Sequence, residues 1–313
     1  MSAENYTMVV FFIIEGISDI PEIQTLIFVL VLLMYLIIFG GNMTILLLVC
    51  SDSKLHNPMY FFLVNLSIMD VFSATVTLHK TLLIFITGDN SVSPTACMIQ
   101  LYMFTSLTNN ELLILTAMSY DRYVAICNPL RYHMVMNYRL CVLLAFSCWT
   151  LGFIEITPIL WAISGFNCYT SKMVNHFFCD IVPLMMITCS DTSLLALYLQ
   201  LDGVVFGGMT PFIFTFISYV FIIITILRIR SREGRRKAFY TCSSHLTVVG
   251  LLYSTLGCQY LRPVSVETID SNKLFSLFNT VAVPMLNPLI YSLKNKDVKS
   301  ALIRRLRMHL MVT

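Results

Sequence analysis

The chain has 313 residues, of which 57% are hydrophobic and only 12% are charged, and its formal net charge is +3. A soluble protein carries roughly twice that share of charged residues. The composition therefore excludes a soluble globular protein and predicts an integral membrane protein.

The first 22 residues are predicted to form a short N-terminal tail. Asn5-Tyr6-Thr7 matches the N-glycosylation tripeptide, which is modified only on the lumenal side of a membrane. Two further tripeptides begin at Asn42 and Asn65, but both lie inside apolar runs that a glycosyltransferase does not reach. Asn5 is therefore the candidate glycan site.

Seven apolar stretches are long enough to cross about 30 Å of hydrocarbon. They run approximately over residues 24–50, 58–84, 96–127, 140–162, 196–228, 238–261 and 272–293. The fifth is predicted to break around residues 202–211, and the seventh at Pro284 and Pro288, because proline removes a backbone donor. Residues 294–307 follow as a basic amphipathic helix on the membrane surface. Its apolar positions recur at helical spacing and are Val298, Leu302, Ile303 and Leu306.

The distribution of basic residues predicts the orientation of the chain. Assigning the loops alternately leaves only Lys80, Lys172, Arg262 and Lys273 on one side, and puts the other sixteen of the twenty Lys and Arg residues opposite. The more basic side is the cytosolic one, so the N-terminus is expected outside. This agrees with Asn5 as a glycan site.

The same orientation sorts the ten cysteines. Cys97, Cys168, Cys179 and Cys189 fall on the oxidising outer side, where disulfides persist, and the other six are expected to be free thiols. Four cysteines allow three pairings, and the spacing does not choose among them. His176 and Cys179 could also bind a soft metal, but a disulfide would remove the Cys179 thiolate.

Two acids lie in the middle of predicted spans, Asp70 in the second and Glu111 in the third. Buried carboxylates are costly unless they are neutral, paired or balanced by a cation. They are expected either to be protonated and hydrogen-bonded to Asn42 and Asn287, or to belong to a polar core that binds Na⁺. Both interpretations stay open.

A charged pair, Asp121 and Arg122, closes the third span. Neighbouring residues on a helix point about 100° apart, so the pair is expected to be local and weak, which suits a contact that breaks. An isolated pair of this kind usually only marks the water interface. Here it sits in a fifteen-residue motif, Met118 to Tyr132, which favours a functional role.

Further toward the outer end, one face of the third span carries a stripe at i, i+3, i+4 spacing. Phe104 to Thr108 would lie roughly 10–17 Å below Cys97, the depth of a pocket between helices. A stripe that only packs the core is equally compatible with each single residue, but three polar groups at this depth need partners. The predicted lining is Phe104, Thr105, Thr108, Asn109 and Leu112.

Five motifs in chain order resemble those of the vertebrate odorant receptors, a group of rhodopsin-like G-protein-coupled receptors. They are Leu55–Leu63, Met118–Tyr132, Ser218–Tyr219, Lys237–Leu246 and Pro284–Ser292, and the likeness covers nearly the whole chain. The resemblance implies an all-α fold, a seven-transmembrane helix bundle with a short C-terminal amphipathic helix. The implied domains are an extracellular tail (1–22), the receptor domain (23–293) and a cytosolic helix and tail (294–313).

The resemblance also implies roles for individual residues. It adds to the pocket wall Gly203, Phe206, Gly207, Tyr253, Leu256, Tyr260, Leu277 and Thr280. It implies an activation switch made of Asp121, Arg122, Tyr123, Tyr219, Asn287, Pro288 and Tyr291. It pairs Cys97 with Cys179 and Cys168 with Cys189. The predicted wall is apolar and lacks an acid near Phe104 at membrane depth, so a small neutral ligand is favoured over an amine.

The implied function is that of an odorant receptor in the plasma membrane, in the cilia of olfactory neurons by resemblance. Its expected partners are a volatile small molecule, a stimulatory G protein of the olfactory type and the lipid bilayer, with no nucleic acid and no cofactor apart from candidate Na⁺. A rhodopsin-like receptor for a non-odorant small molecule is the alternative. A transporter is disfavoured because the chain shows no internal repeat, and an enzyme because no span carries a metal cluster or a nucleophile–base set.

Overall fold

The computed structural model describes residues 10–17, 21–260, 269–294 and 296–312, and it is a bundle of long helices. In chain order the helices are α1 (Pro21–Ser51), α2 (Pro58–Thr87), α3 (Pro94–Cys127), α4 (Tyr132–Val135), α5 (Tyr138–Ser164), α6 (Ile181–Ile187), α7 (Ser193–Asp202), α8 (Thr210–Arg228), α9 (Arg232–Tyr260), α10 (Ile269–Leu277), α11 (Val283–Lys294) and α12 (Lys296–Val312). Short strands are β1 (Phe12–Ile14), β2 (Ser91–Val92) and β3 (Met173–Val174). The end of the bundle that carries the strands is the outer end, and the end that carries α12 is the inner end.

Local sequence sets where the long helices begin and end. The Asn57 side chain accepts a hydrogen bond from the Tyr60 amide at 3.3 Å, and Pro58 takes the first helical position of α2. Ser93 caps α3 in the same way, with Pro94 after it. Gly88 ends α2 with φ of 72°, a left-handed conformation that glycine adopts without steric cost.

The irregular segments of the fifth and seventh spans lie one turn before the prolines. A π-helical segment, Gly203–Met209, joins α7 to α8, and another, Phe278–Ala282, joins α10 to α11. Pro211 and Pro284 lack the N–H that an α-helix would aim at the carbonyls of Gly207 and Thr280, which lie within these segments. The irregular segment thus falls just before Pro284, near the predicted break, whereas Pro288 lies inside α11 and does not interrupt the helix.

Within the described residues, five helical stretches are long and apolar enough to cross a membrane by length and composition alone. They are Glu22–Ser51, Pro58–Thr87, Tyr138–Ser164, Ser193–Arg228 and Lys273–Ile290. The helices α3 and α9 complete the seven predicted spans. The polar residues of α3 avoid lipid because α2, α5 and α8 pack around it.

Polar and small residues set how closely three of these helices approach. The Trp149 ring nitrogen on α5 donates to the Asn65 side-chain oxygen on α2 at 3.0 Å. Gly152 on α5 faces Asn110 on α3, and a Cβ at Gly152 would lie 3.1 Å from the backbone nitrogen of Asn110. A side chain at this position would force α3 and α5 apart.

The outer end is closed by a small sheet and two disulfides. β1 is central, antiparallel to β2 and parallel to β3, with Phe12 opposite Val92 and Ile13 opposite Met173. Part of the segment predicted as a tail is thus folded, and Phe12 is fully buried. Disulfides join Cys97 to Cys179 and Cys168 to Cys189, the pairs that the resemblance implies. The six remaining cysteines are free, as the orientation predicts.

At the inner end, α12 packs one face against the bundle. Val298 and Ala301 are buried in the main hydrophobic cluster, whereas Leu302 and Ile303 are exposed. The guanidinium of Arg304 pairs with Asp52 and lowers the pKa of that carboxyl group. The helix is therefore anchored to the first inner loop as well as being amphipathic.

Candidate functional site

Phe104, the outermost residue of the predicted stripe on α3, packs under the outer loop. Its ring centroid lies 4.7 Å from that of Phe178, and Phe178 also contacts Phe177 and His176. The loop is held in place by the Gln100 side chain, which accepts from the Cys179 amide at 2.9 Å, and by Thr81, which donates to the Phe177 carbonyl at 3.1 Å. Phe104 therefore belongs to an aromatic cluster that covers the bundle.

Within that cluster, the predicted alternative of a soft-metal site is removed. Cys179 is in a disulfide, and His176 is 2% exposed. Burial and then the charge of Lys273 lower the pKa of His176 to about 3, so the imidazole is neutral. His176 is a packing residue of the outer loop.

The two threonines of the predicted stripe have partners in their own helix. Thr105 donates to the Leu101 carbonyl at 2.8 Å, and Thr108 donates to the Phe104 carbonyl at 3.0 Å. The argument that these hydroxyl groups need partners from a ligand is therefore wrong, because an α-helix offers each of them the carbonyl four residues earlier.

Asn109 is bound by an acid that the sequence did not single out. Its side-chain nitrogen donates to Oε2 of Glu155 on α5 at 2.6 Å. Gly207 lies beside both residues, since a Cβ there would be 3.3 Å from Glu155 Oε1 and 3.6 Å from Asn109 Oδ1. The predicted wall lacked an acid near Phe104, and Glu155 instead places one beside Asn109, another residue of the predicted lining. The missed signal is Glu155 itself, a carboxylate inside a predicted span.

The remaining predicted lining divides between two hydrophobic clusters. Leu277 packs with Phe104 in the outer cluster, whereas Leu112, Tyr253 and Leu256 belong to the main core. Thr280 is buried and donates to the Ser276 carbonyl at 2.9 Å, and Gly203 is exposed. The side chains of Phe206 and Tyr260, and residue Asn5, lie outside the part of the chain that is described.

A polar core lies deeper in the bundle. The Asn287 side-chain nitrogen is 3.1 and 3.0 Å from the two carboxylate oxygens of Asp70 and 3.3 Å from Oε1 of Glu111. Asn42 does not bind the acids, because its nitrogen donates to the carbonyls of Ile38 and Pro284. Among the described residues, the side-chain oxygens of Asn42 and Asn287 have no hydrogen-bond partner.

At the inner end of α3, the charged pair is buried and strongly held. The Arg122 guanidinium donates to Oδ2 of Asp121, with Nε at 2.9 Å, and the Tyr132 hydroxyl donates to Oδ1 at 2.8 Å. The Asp121 side chain is 1% exposed and that of Arg122 is 15% exposed. The pair is local, as expected, but it is buried and Asp121 also binds Tyr132, and both features strengthen it beyond the weak contact that was predicted.

The link between α8 and α9 beside this pair is made by other side chains. The Tyr219 hydroxyl lies 2.6 Å from Nδ1 of His245, and the two rings stack. His245 was missed as a functional residue, although it stands in the Lys237–Leu246 motif and a histidine inside a span is a signal in itself. Tyr123 packs on Phe221 of α8, and Pro288 lies against Gly41. The side chain of Tyr291 is outside the described part.

Comparisons with known proteins agree with this architecture. A family model described as olfactory receptor matches residues 31–309. Olfactory receptor 5G9 of Mus musculus is 43% identical over 304 residues, covering 96% of each chain. Olfactory receptor 8J3 of Homo sapiens is 42% identical over 309 residues, again covering 96% of each. The crystal structure of squid rhodopsin matches with a TM-score of 0.73 at 16% identity, covering 94% of this chain and 88% of that one, which shows the seven-helix fold alone.

Proposed function

This chain belongs to the olfactory receptor family, and from that premise we propose that it binds small, mostly apolar odorants within its helix bundle and activates a stimulatory G protein that raises cAMP. Family membership makes it a multi-pass membrane receptor with a small-molecule ligand and a G protein as partners, and not an enzyme.

The observation that supports signalling most directly is the buried arrangement at the inner end of α3, α8 and α9. Arg122 is occupied by Asp121, and Tyr219 is occupied by His245. A cytosolic partner can reach Arg122 only if these contacts rearrange, so ligand binding in the outer half must shift the balance between two packings. The pair of bonds would hold the resting state.

The ligand of this proposal is small and has an apolar body. Leu112, Tyr253 and Leu256 offer apolar contact in the main core. A molecule of about ten heavy atoms gains only modest binding free energy, so half-maximal responses are expected at roughly micromolar concentrations. Specificity would depend on the few polar groups that it meets, Asn109 first among them.

A cAMP assay in cells that express the receptor at their surface tests the proposal. In a panel of volatiles and non-volatile metabolites, the volatiles should raise cAMP through a stimulatory G protein, and an inhibitor of adenylyl cyclase should remove the response. An ion current without cAMP would contradict the proposal. Responses to non-volatile metabolites alone would favour the non-odorant receptor.

We further propose that the N-terminus is outside the cell, that Asn5 is glycosylated and that the receptor resides in olfactory cilia. Sixteen of the twenty Lys and Arg residues fall on the side of the membrane opposite the N-terminus, and this supports the orientation. Glycosidase treatment should speed the migration of the wild type in gels and leave Asn5→Gln unchanged. An antibody to the N-terminus should stain intact cells.

The donor set of the polar core fits a sodium ion. Asp70 and Glu111 supply carboxylates, and Asn287, which binds both, has an unpartnered side-chain oxygen within the described residues, so the group offers oxygen ligands suited to a hard cation. Bound Na⁺ would balance two carboxylates that share one amide, and would favour the resting state. Replacing Na⁺ by N-methylglucamine should lower the melting temperature of the purified receptor. Equal melting temperatures would mean that the acids share a proton instead.

A further inference from the structure

Two acids approach each other in the outer half of the bundle. Glu155 lies nine residues, or about 14 Å, from the outer end of α5, and Asp202 ends α7. Both residues lie beside Gly207, since a Cβ there would be 3.3 Å from Glu155 Oε1 and 3.8 Å from the backbone carbonyl oxygen of Asp202. Among the described residues, the ion pairs are Arg122–Asp121, Lys273–Glu15 and Arg304–Asp52, so neither acid has a basic partner there.

The buried side-chain amide of Asn109 lies next to Glu155. Asn109 is 7% exposed, and its nitrogen is used by Oε2 of Glu155. Within the described chain this leaves Asn109 Oδ1 and Glu155 Oε1 buried without hydrogen-bond partners. An unpaired buried acceptor is costly, so two of them at one place indicate a missing donor.

Both free oxygens lie beside the bare backbone of Gly207. A Cβ at this residue would be 3.3 Å from Glu155 Oε1 and 3.6 Å from Asn109 Oδ1. The backbone of Gly207 therefore packs close to the two acceptors, and a larger side chain at this position would crowd them.

The π-helical segment fixes this geometry. A Cβ at Gly208 would overlap the carbonyl oxygen of Gly203, because the wider turn brings these two residues together. Gly208 thus permits the π turn that sets Asp202 and Gly207 relative to α3 and α5. Local π turns of this kind are frequent at functional sites.

The chemistry of the cluster selects its ligand. Two carboxylates and an amide oxygen are all acceptors, and the carboxylates carry negative charge with no basic side chain beside them in the described chain. A primary ammonium group brings a positive charge and three N–H donors, and hydrogen bonds between charged groups are the strong ones. A hydroxyl group brings one donor and no charge, and a quaternary ammonium brings no donor.

We propose that Glu155, Asp202 and Asn109 form a subsite for the primary ammonium group of a small amine whose apolar body lies within the helix bundle. This rests on the proposed function, since it names the chemical class of the receptor's ligand. The subsite accounts for an acid pair that the neutral-ligand expectation leaves without a role.

The test uses matched probes. Primary amines of four to ten carbons, straight, branched and cyclic, are compared with the alcohols of the same skeletons and with their trimethylammonium forms. Two quantities are measured, the shift in melting temperature of the purified receptor and the half-maximal concentration for cAMP in cells. At least one amine should act at a concentration about tenfold or more below its alcohol, as charge-assisted hydrogen bonds imply.

Substitutions test which residues cause the preference for amines over alcohols. Glu155→Gln keeps the shape and the bond to Asn109 but removes the charge, and should weaken the amine about tenfold or more while changing the alcohol less than about threefold. Gly207→Ala should crowd the two unpaired oxygens and give the same selective loss. Thr150→Val, a half-buried position on the same helix whose hydroxyl donates to the Phe146 carbonyl, is the matched control and should change neither probe. If Glu155→Gln does not reach the surface, Asp202→Asn and Gly207→Ala provide the same comparison.

The outcomes separate the two proposals. Amines that stabilise the purified wild type but not Glu155→Gln, with no cAMP response, would uphold the subsite and contradict the proposed signalling. Responses to neutral ligands with no amine better than its alcohol would uphold the signalling and overturn the subsite. In that case the two acids hold only a shared proton or a metal ion. Equal losses for amine and alcohol in Glu155→Gln would also overturn it.

Discussion

The Tyr219 hydroxyl on α8 lies 2.6 Å from Nδ1 of His245 on α9, and both side chains are more than nine-tenths buried. The bond joins the two helices beside Arg122, at the inner end where a G protein would bind. It is therefore a direct, buried polar contact between these two helices.

Removing this bond should raise basal signalling. Tyr219→Phe and His245→Phe each lose one buried hydrogen bond, and a net loss of about 0.5–1.5 kcal/mol corresponds to roughly a two- to tenfold change. Basal cAMP per surface receptor measures it. The double variant should exceed neither single variant, because both remove the same bond. Tyr120→Phe, a partly exposed position on α3, is the control, and additive effects would contradict the coupling.

Replacing Arg122 should abolish ligand-dependent signalling while the receptor still reaches the surface. Arg122→Ala removes the cation that a G protein would contact and leaves Asp121 held by Tyr132. Antibody staining and cAMP are measured on the same cells. Arg139→Ala changes an exposed arginine at the start of α5 and should respond normally. A normal response from Arg122→Ala would refute its assignment as the switch.

Gly152→Ala should destabilise the bundle by about 1–3 kcal/mol, the usual cost of overpacking. Its new Cβ would lie 3.1 Å from the Asn110 backbone nitrogen and overlap the Asn110 side chain, so α3 and α5 must separate. Gly40→Ala is the matched control, since a Cβ there meets nothing within 4 Å and alanine favours the helix. Melting temperatures of the two variants should move in opposite directions, and a common shift would contradict the contact.

The outer loop should lose stability as pH rises from about 4 to about 6. Asp180 is buried, and desolvation raises its pKa from 3.8 to about 6. In that window the folded state binds more protons than the unfolded state, so the free energy of unfolding falls with pH and is level above it. The difference is about 3 kcal/mol. Asp180→Asn should remove this slope in melting experiments between pH 4 and 7, and an unchanged slope would exclude Asp180 as its source.

Breaking the second disulfide should weaken the outer loop without changing the other one. Cys168 and Cys189 are 21 residues apart, and closing such a loop contributes roughly 3 kcal/mol in the chain-entropy model. A Cys168→Ser, Cys189→Ser double variant should melt at a lower temperature. Peptide mapping without reduction should still find Cys97 linked to Cys179. A Cys97–Cys168 link in the wild type would contradict the pairing.

Several features of this receptor follow from sequence alone because the information is local. The seven spans are read from stretches of apolar residues, each about as long as the hydrocarbon is thick. The family is identified from motifs such as Met118–Tyr132, in which the informative residues are contiguous. Helix ends at Asn57, Gly88 and Ser93 are likewise set by residues within one turn.

The tertiary structure alone decided which polar groups meet. Glu155 and Asn109 are 46 residues apart, and Tyr219 and His245 are 26 apart on different helices, so no periodicity relates them. Thr105 and Thr108 show the converse, since a helix satisfies their hydroxyl groups internally and leaves nothing for a ligand. In a membrane bundle, the helix faces that contact lipid and those that face the core are both apolar. Which face of each helix turns inward depends on packing against its neighbours, and that packing determines the site.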